Sequence, residues 1–597
     1  MTKGMSSLGL ALLIAGLLPP AWIALGGGAD VDLPGFRAAF YQTRGPCLAL
    51  AASLLLGLAW PAGERRGRVA RGLAFAALAF ALGIIWSGGF RAEWISVRTS
   101  TGPGLAALFF VTIALLRGRS HFAAGRGAGI AATGLLLGAL AVAGVWRSDR
   151  AELRSRLEAA PLRDAGPDVI LLLVDTLRAD ALGFHGATPS PSPFLDALAS
   201  RSVVFARTHA QAPWTVPSVS SLLSALYPSS FMRGTDDLEP ITRDGEVRRL
   251  PDGLPWLPFR LRAAGYHTAG FQKNPLLREG TRFERGFDLY EWVRGDTAEH
   301  ESGSQLADAL LRWADVMADW REEGRPGSFF LFAQFMDPHI EYRPPEEFLS
   351  DLPGGYDGPV DGGTKSVRRV EKQEGGPTEA DLAQLRGRYR AEVTYLDGEL
   401  RRLHDGLAAR GLWSDETIFV LVGDHGEQFY EHGQFMHGDV HRENLHVPLL
   451  LHAPGLAPRR VRAPVGLIDV TPTLLELLGL EPLPTAEGHS LLGLARGADE
   501  PARVTLTDGV RPEDARVTGP RYSLIRRGGV DHLYDLEADP AETRDLARRE
   551  PEVLAALQQT LARHQGRTLP AGVAAGMEPT EVDDETRALL EALGYAE

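Results

Sequence analysis

The sequence predicts an α/β protein: a mixed sheet with helices on both faces, preceded by a separate apolar region of five helices. Three observations carry this. Runs of six or seven largely apolar residues recur after residue 165, the pattern of strands buried on both faces. Helix-periodic stretches lie between them, as in doubly wound sheets. Before residue 150 there are five charge-free stretches of membrane-spanning length. A chain of 597 residues is also too long for a single compact core, so more than one domain is expected.

Residues 1–150 form the first region. The charge-free stretches are 4–29, 45–63, 72–90, 99–116 and 127–146, each rich in Leu, Ala, Ile, Val and Phe. Lys3, the cluster Arg65, Arg66, Arg68 and Arg71, and then Arg117, Arg119 and Arg126 fall on one side of such a bundle. The positive-inside rule therefore places the N-terminus in the cytoplasm. Five spans then export everything after Trp146 to the periplasm or cell exterior, from a multi-pass anchor in the inner (cytoplasmic) membrane. Residues 1–150 carry a net charge of +9, which leaves −23 for the remainder of a chain whose total is −14. An acidic main domain excludes nucleic acid as a partner. Cys47 is the sole cysteine, so neither a disulfide framework nor a cysteine metal site exists.

The strands follow in order. Pro167-Asp168 opens VILLLV (169–174); then come FFLFAQF (329–335), TIFVLV (417–422) and VPLLLH (447–452). Helical patterns cover 193–200, 257–264, 305–320 and 383–410, and 351–380 reads as a mobile surface loop. Sites on such sheets lie beyond the carboxyl ends of the strands. There the sequence places Asp175, then Asp337 and His339, then Asp424, His425 and Glu427. Asp175, Asp424 and His425 combine two hard carboxylates with one imidazole. That set suits one divalent metal ion, Zn²⁺ or Mn²⁺ by preference, with Mg²⁺ or Ca²⁺ admitted but less favoured by the nitrogen. Thr215, in APWTVPSVSSLLSALYPSS, has two readings. It is a helix N-cap, or it is a hydroxyl activated by that metal.

DVILLLVDTLRADALGFHG, WTVPSVSSLLSALYPS, MDPHIEYRPP and ETIFVLVGDHGEQFYEHGQFMHG together resemble the sulfatase branch of the alkaline-phosphatase superfamily. The resemblance continues through NLHVPLLLHAPG, IDVTPTLLELLGL and HLYDLEADPAETRDLA to the tail TRALLEALGYAE. It implies a catalytic domain over 165–495, a smaller α+β subdomain over 500–565 and a helical tail over 566–597. It implies that Asp175, Asp424, His425 and Thr215 ligate the metal, with Thr215 also the nucleophile. His437 and His339 would contact the anionic oxygens of the substrate or protonate the leaving group; Lys273, His432 and Arg178 are further substrate-binding candidates.

The chain departs from the sulfatase pattern at the nucleophile. True sulfatases carry Cys or Ser before x-Pro-x-Arg and convert it to formylglycine, whereas this chain has Thr215-Val216-Pro217-Ser218-Val219. The β-methyl of Thr prevents an aldehyde, and Val219 replaces the supporting Arg. Thr176 stands where sulfatases often have a second metal-binding Asp. A Thr nucleophile behind several membrane spans is instead the layout of phosphoethanolamine transferases and lipoteichoic acid synthases. The leading expectation is thus a membrane-anchored enzyme that transfers or hydrolyses phospho-esters through Thr215. The alternatives are a sulfuric-ester hydrolase working without formylglycine and a non-catalytic binder of an anionic glycan or lipid.

Overall fold

The computed structural model describes residues 150–159, 164–232, 247–294, 302–352, 354–499, 502–567, 577–580 and 582–593. The five apolar stretches lie outside them; among the described residues no helix is long and apolar enough to cross a membrane.

Eight strands form the main sheet: β1 (Val169–Val174), β2 (Val203–Phe205), β3 (His267–Gln272), β4 (Leu289–Trp292), β5 (Phe329–Phe335), β6 (Ile418–Gly423), β7 (Leu449–His452) and β8 (Arg459–Val461). Their order is β8-β2-β7-β6-β1-β5-β3-β4. The pairs β6–β1, β1–β5, β5–β3 and β3–β4 are parallel, while β7 runs antiparallel to both β6 and β2. The expected strand 447–452 is broken at Pro448, because proline cannot donate to a ladder; His446–Val447 pairs with Thr208–His209 instead.

β1 is apolar throughout because it serves two cores. Val169, Leu171 and Leu173 face one cluster and Ile170, Leu172 and Val174 the other, as the two-residue strand period requires. The first face is covered by α2 (Thr215–Ser224), α3 (Leu257–Ala264) and α7 (Val470–Leu477) through Val216, Val219, Leu261 and Leu474. The second is covered by α1 (Pro193–Ala199), α4 (Ser302–Glu322) and α6 (Glu379–Ala409) through Leu195, Leu310, Trp313 and Leu385.

Two expectations need correction. The stretch 351–380 is no irregular loop: it contains α5 (Thr364–Lys372), seated by buried Val367 and Val370, and the start of α6, where Thr378 and Asp381 form a capping box. And β3 is a strand that no apolar run announces. HTAGFQ buries His267, Thr268 and Gln272 as well as its apolar residues, with the Thr268 hydroxyl bonded to the Gly286 carbonyl and to Asp288.

Beyond the main sheet, β9 (Thr505–Asp508), β10 (Ala515–Thr518), β11 (Tyr522–Arg527) and β12 (Val530–Asp535) make an antiparallel sheet, covered by α8 (Pro551–Gln565) through Leu561. Residues 147–597 nonetheless form one compact unit. The tail contributes a strand as well as a helix, Glu578–Thr580 pairing with Val247–Arg249.

Candidate active site

Four adjacent parallel strands, β6, β1, β5 and β3, end at one edge, and their last or next residues meet there. Asp424 follows β6, Asp175 follows β1, Gln334 is the penultimate residue of β5, and Asn274 lies two residues past β3. Alternation along β1 and β5 turns Asp175 and Gln334 toward the face carrying α2, whose first residue is Thr215.

Asp175, Asp424 and His425 are fully buried, and one ligand atom from each lies within 4.8 Å of the other two. His425 Nε2 is 3.4 Å from Asp175 Oδ1 and 3.6 Å from Asp424 Oδ2. Those two oxygens have no hydrogen-bond partner, although both are buried. The other oxygens are engaged: Asp175 Oδ2 accepts from Asn274 (2.8 Å) and Gln334 (2.9 Å), and Asp424 Oδ1 from the Thr176 and His425 backbone N–H groups (3.1 and 2.7 Å). His425 Nδ1 faces the Gly426 carbonyl at 3.0 Å, which fixes its proton there and leaves the Nε2 lone pair pointing inward. Two carboxylate oxygens are thus left open, and one imidazole nitrogen is turned toward them with the Thr215 hydroxyl at 3.3 Å. Buried charge of this kind is stabilised by pairing or by a metal, so the donor set fits a divalent cation.

Electrostatics agree. Burial pushes Asp175 up to about 7, against the pull of the Asn274 hydrogen bond and of His437. Burial and the Asp175 charge raise Asp424 well above the carboxylate range, and burial with nearby His437 holds His425 far below the imidazole range. Thr176 maintains this geometry at a conformational cost. Its φ of 51° is rare for a β-branched residue, and it is held there by the Tyr389 hydroxyl, which donates to the Thr176 carbonyl at 2.8 Å.

Thr215 is not the helix cap. Trp214 occupies that position without a side-chain capping bond, and Thr215 is the first helical residue. Its hydroxyl lies 3.3 Å from His425 Nε2 and 3.5 Å from the Asn274 amide, at the positive end of the α2 dipole. All ten residues of α2 are buried, Val219 among them.

His437 and His339 complete the cluster, the His437 ring centred 4.6 Å from that of His425 and 5.2 Å from that of His339. Burial opposes a charge on His437, but Glu427, 3.3 Å from its Nδ1, outweighs burial and raises it; buried His339 is held at about 3. The side chains of the remaining candidates have other partners. Lys273 is buried with Nζ on Gln305, and burial lowers it to about 8 while Asp337 opposes the shift. Arg178 is tied to Asp180, Glu431 and the Glu427 carbonyl. His432 bonds Glu443 at 3.1 Å and stacks on His441. Asn274 and Gln334 are the residues that sequence reasoning passed over. A Gln inside an otherwise apolar two-faced strand was the available signal for Gln334; Asn274 had none, because its strand was not recognised.

The sulfatase family profile matches residues 167–480, over half of the chain. The chain belongs to the sulfatase family. Through it, the chain belongs to the alkaline-phosphatase superfamily. This sulfatase-family chain is 31% identical over 461 residues to Arylsulfatase K of Gallus gallus, covering 67% of this chain and 83% of that protein. It is 25% identical over 439 residues to Choline-sulfatase of Rhizobium meliloti, covering 64% and 82%. Among solved structures it shares the fold of the phosphonate monoester hydrolase of Agrobacterium radiobacter, with TM-score 0.53, 20% identity, and 70% of this chain and all of that one covered.

Proposed function

We propose that this sulfatase-family chain is a metal-dependent hydrolase of an anionic ester, a sulfuric ester by preference, with Thr215 as nucleophile in place of formylglycine. The observation that carries the reading is the convergence of the Thr215 hydroxyl with the open oxygens of Asp175 and Asp424 and the inward-facing nitrogen of His425. A cation held by those three residues would supply charge stabilisation at the site and lower the proton affinity of the hydroxyl. Asn274 orients both Asp175 and the Thr215 oxygen. Thr215 Oγ1, its proton passing to solvent, attacks sulfur in line, the bond to the leaving oxygen breaks, and His437, whose proton affinity Glu427 raises, donates to that oxygen. Water then attacks the sulfo-threonine to release sulfate and restore the hydroxyl. A binding protein would need no hydroxyl aimed at unpaired carboxylates.

The curated relatives bear sulfatase names, which ranks sulfuric esters above the phospho-ester transfer first expected. Phospho-ester hydrolysis remains the second reading, supported by Thr215 itself: its hydroxyl suits a phospho-threonine intermediate and cannot give an aldehyde. Sulfated glycans and lipids are the substrate partners in view. The charge-free stretches and basic loops of residues 1–150 support a membrane anchor with the catalytic region exported, which protease accessibility in spheroplasts tests.

The deciding experiment incubates the full-length protein, loaded with Zn²⁺ or Mn²⁺, with an aryl sulfate, an aryl phosphodiester and an aryl phosphonate monoester, beside Thr215→Ala. Faster turnover of the sulfate, lost in the variant, is expected. Preference for a phosphorus ester moves the assignment to the second reading, and activity surviving in Thr215→Ala removes both.

A further inference from the structure

The helix α5 carries a cation that the mechanism above does not use. Val367 and Val370 bury one side of α5 in the core, Lys365 and Arg369 are exposed, and Arg368 is half-buried between the two sides. The helix is clamped at two points. At its start, the Tyr342 N–H donates to the Gly362 carbonyl (2.9 Å), which ties it to the segment that follows His339. Near its end, Glu371 accepts from the backbone N–H of Phe435, two residues before His437. Arg368 and Glu371 are three residues apart and share a helix face. Arg368 therefore lies over the segments that bear His339 and His437, and its positive charge acts on His437.

Two other arginines near the cleft are neutralised. Arg343 pairs with Glu341 and Asp361, and Arg178 with Asp180 and Glu431. Arg368 makes no hydrogen bond or ion pair among the described residues. A partly desolvated guanidinium without a counter-ion, next to a site built for anions, is a fork of donors waiting for a planar or tetrahedral anion.

We propose that Arg368 is a specificity-determining residue that binds a second anionic group, a carboxylate or a further sulfate, on the leaving-group part of the substrate. The position follows from His437, assigned above to the leaving oxygen, so the inference rests on that reading. The substrate class it selects is an ester of an acidic alcohol, such as a uronic acid or a multiply sulfated sugar, over an ester of a neutral one.

Non-hydrolysable analogues separate the two levels of the argument. Calorimetry on the full-length, Zn²⁺-loaded protein compares benzenesulfonate with 4-sulfobenzoate, and phenylphosphonate with 4-carboxyphenylphosphonate. The carboxylate is expected to tighten binding about tenfold in the wild type, the size of one charge-assisted contact. Arg368→Gln should abolish that difference, Arg368→Lys should restore part of it, and Arg369→Gln, which removes the same charge from the exposed side of α5, should leave it intact. Equal affinities within each pair for the wild type, a preference that survives in Arg368→Gln, or equal loss in Arg369→Gln overturns the proposal while the simple anion still binds. Failure of every analogue to bind the wild type overturns the underlying active-site reading and this inference with it.

Discussion

Asp175 and Asp424 are buried as completely as Arg516 and Glu542, yet the fold treats the two sets differently. Arg516 and Glu542 lock together through two parallel contacts, with the remaining capacity of Glu542 used by Ser523 and the Arg442 N–H, and that of Arg516 by Thr518 and the Val440 carbonyl. At the end of the main sheet one oxygen of each aspartate is left open. Burial pushes Glu542 up, but Arg516 outweighs it and sets Glu542 below its ordinary value, whereas Asp424 is driven well above its own. The first cluster is a fastening: it ties the turn after His437 to the antiparallel sheet. The second stores unfavourable charge that a ligand can relieve, and a buried group left so is a marker of function.

Perturbing each cluster tests that contrast. The largest effect belongs to Thr215, the proposed nucleophile. Thr215→Ala should lower kcat by about 10³-fold or more, as loss of a nucleophile does, while elemental analysis still finds the metal, because Asp175, Asp424 and His425 remain. Thr215→Ser should keep most of the activity.

Next is the fastening. Glu542→Gln leaves Arg516 without its counter-charge and should cost about 3–5 kcal/mol in urea unfolding at neutral pH. The sign of its pH dependence follows from a depressed pKa. The stabilisation is present above the unfolded glutamate value of about 4.3 and is lost as pH falls through the lower folded value. The variant should therefore flatten the acid side of the stability profile; an unchanged acid limb would mean the pair contributes nothing.

Metal removal comes third. Dialysis against a chelator should abolish turnover, and returning Zn²⁺ at 100 times its dissociation constant should stabilise the fold by about 2.7 kcal/mol, seen as a rise in Tm. No rise would count against the three-residue site. Smallest of all, Asp424→Asn should leave the chelated protein unchanged or up to about 1 kcal/mol more stable, because it removes repulsion with Asp175, while eliminating activity. If that variant were strongly destabilised instead, the open oxygens would be structural.

Much of the site was legible in the sequence because it sits where chain direction puts it. Asp175 and Asp424-His425 come directly after apolar strands, and a parallel sheet brings such ends together whatever lies between them. Asn274 was not legible, since the strand before it mixes polar with apolar residues and so carries no apolar run. Nor was α5, whose glycine-rich flanks and charged residues read as loop until Val367 and Val370 found the core.

By itself the sequence determined the α/β class, the family motifs and the residue types available for metal and nucleophile, because each depends on local pattern and spacing. It also excluded formylglycine, since a methyl on Cβ is covalent chemistry. Only the tertiary structure decided that Thr215 is a first-turn hydroxyl facing His425 rather than a cap, and that Arg178 and His432 are spent on other partners. It alone left Asp175 Oδ1 and Asp424 Oδ2 open. Those outcomes turn on which groups from distant parts of the chain come within hydrogen-bonding reach, and that is set when the strands pack.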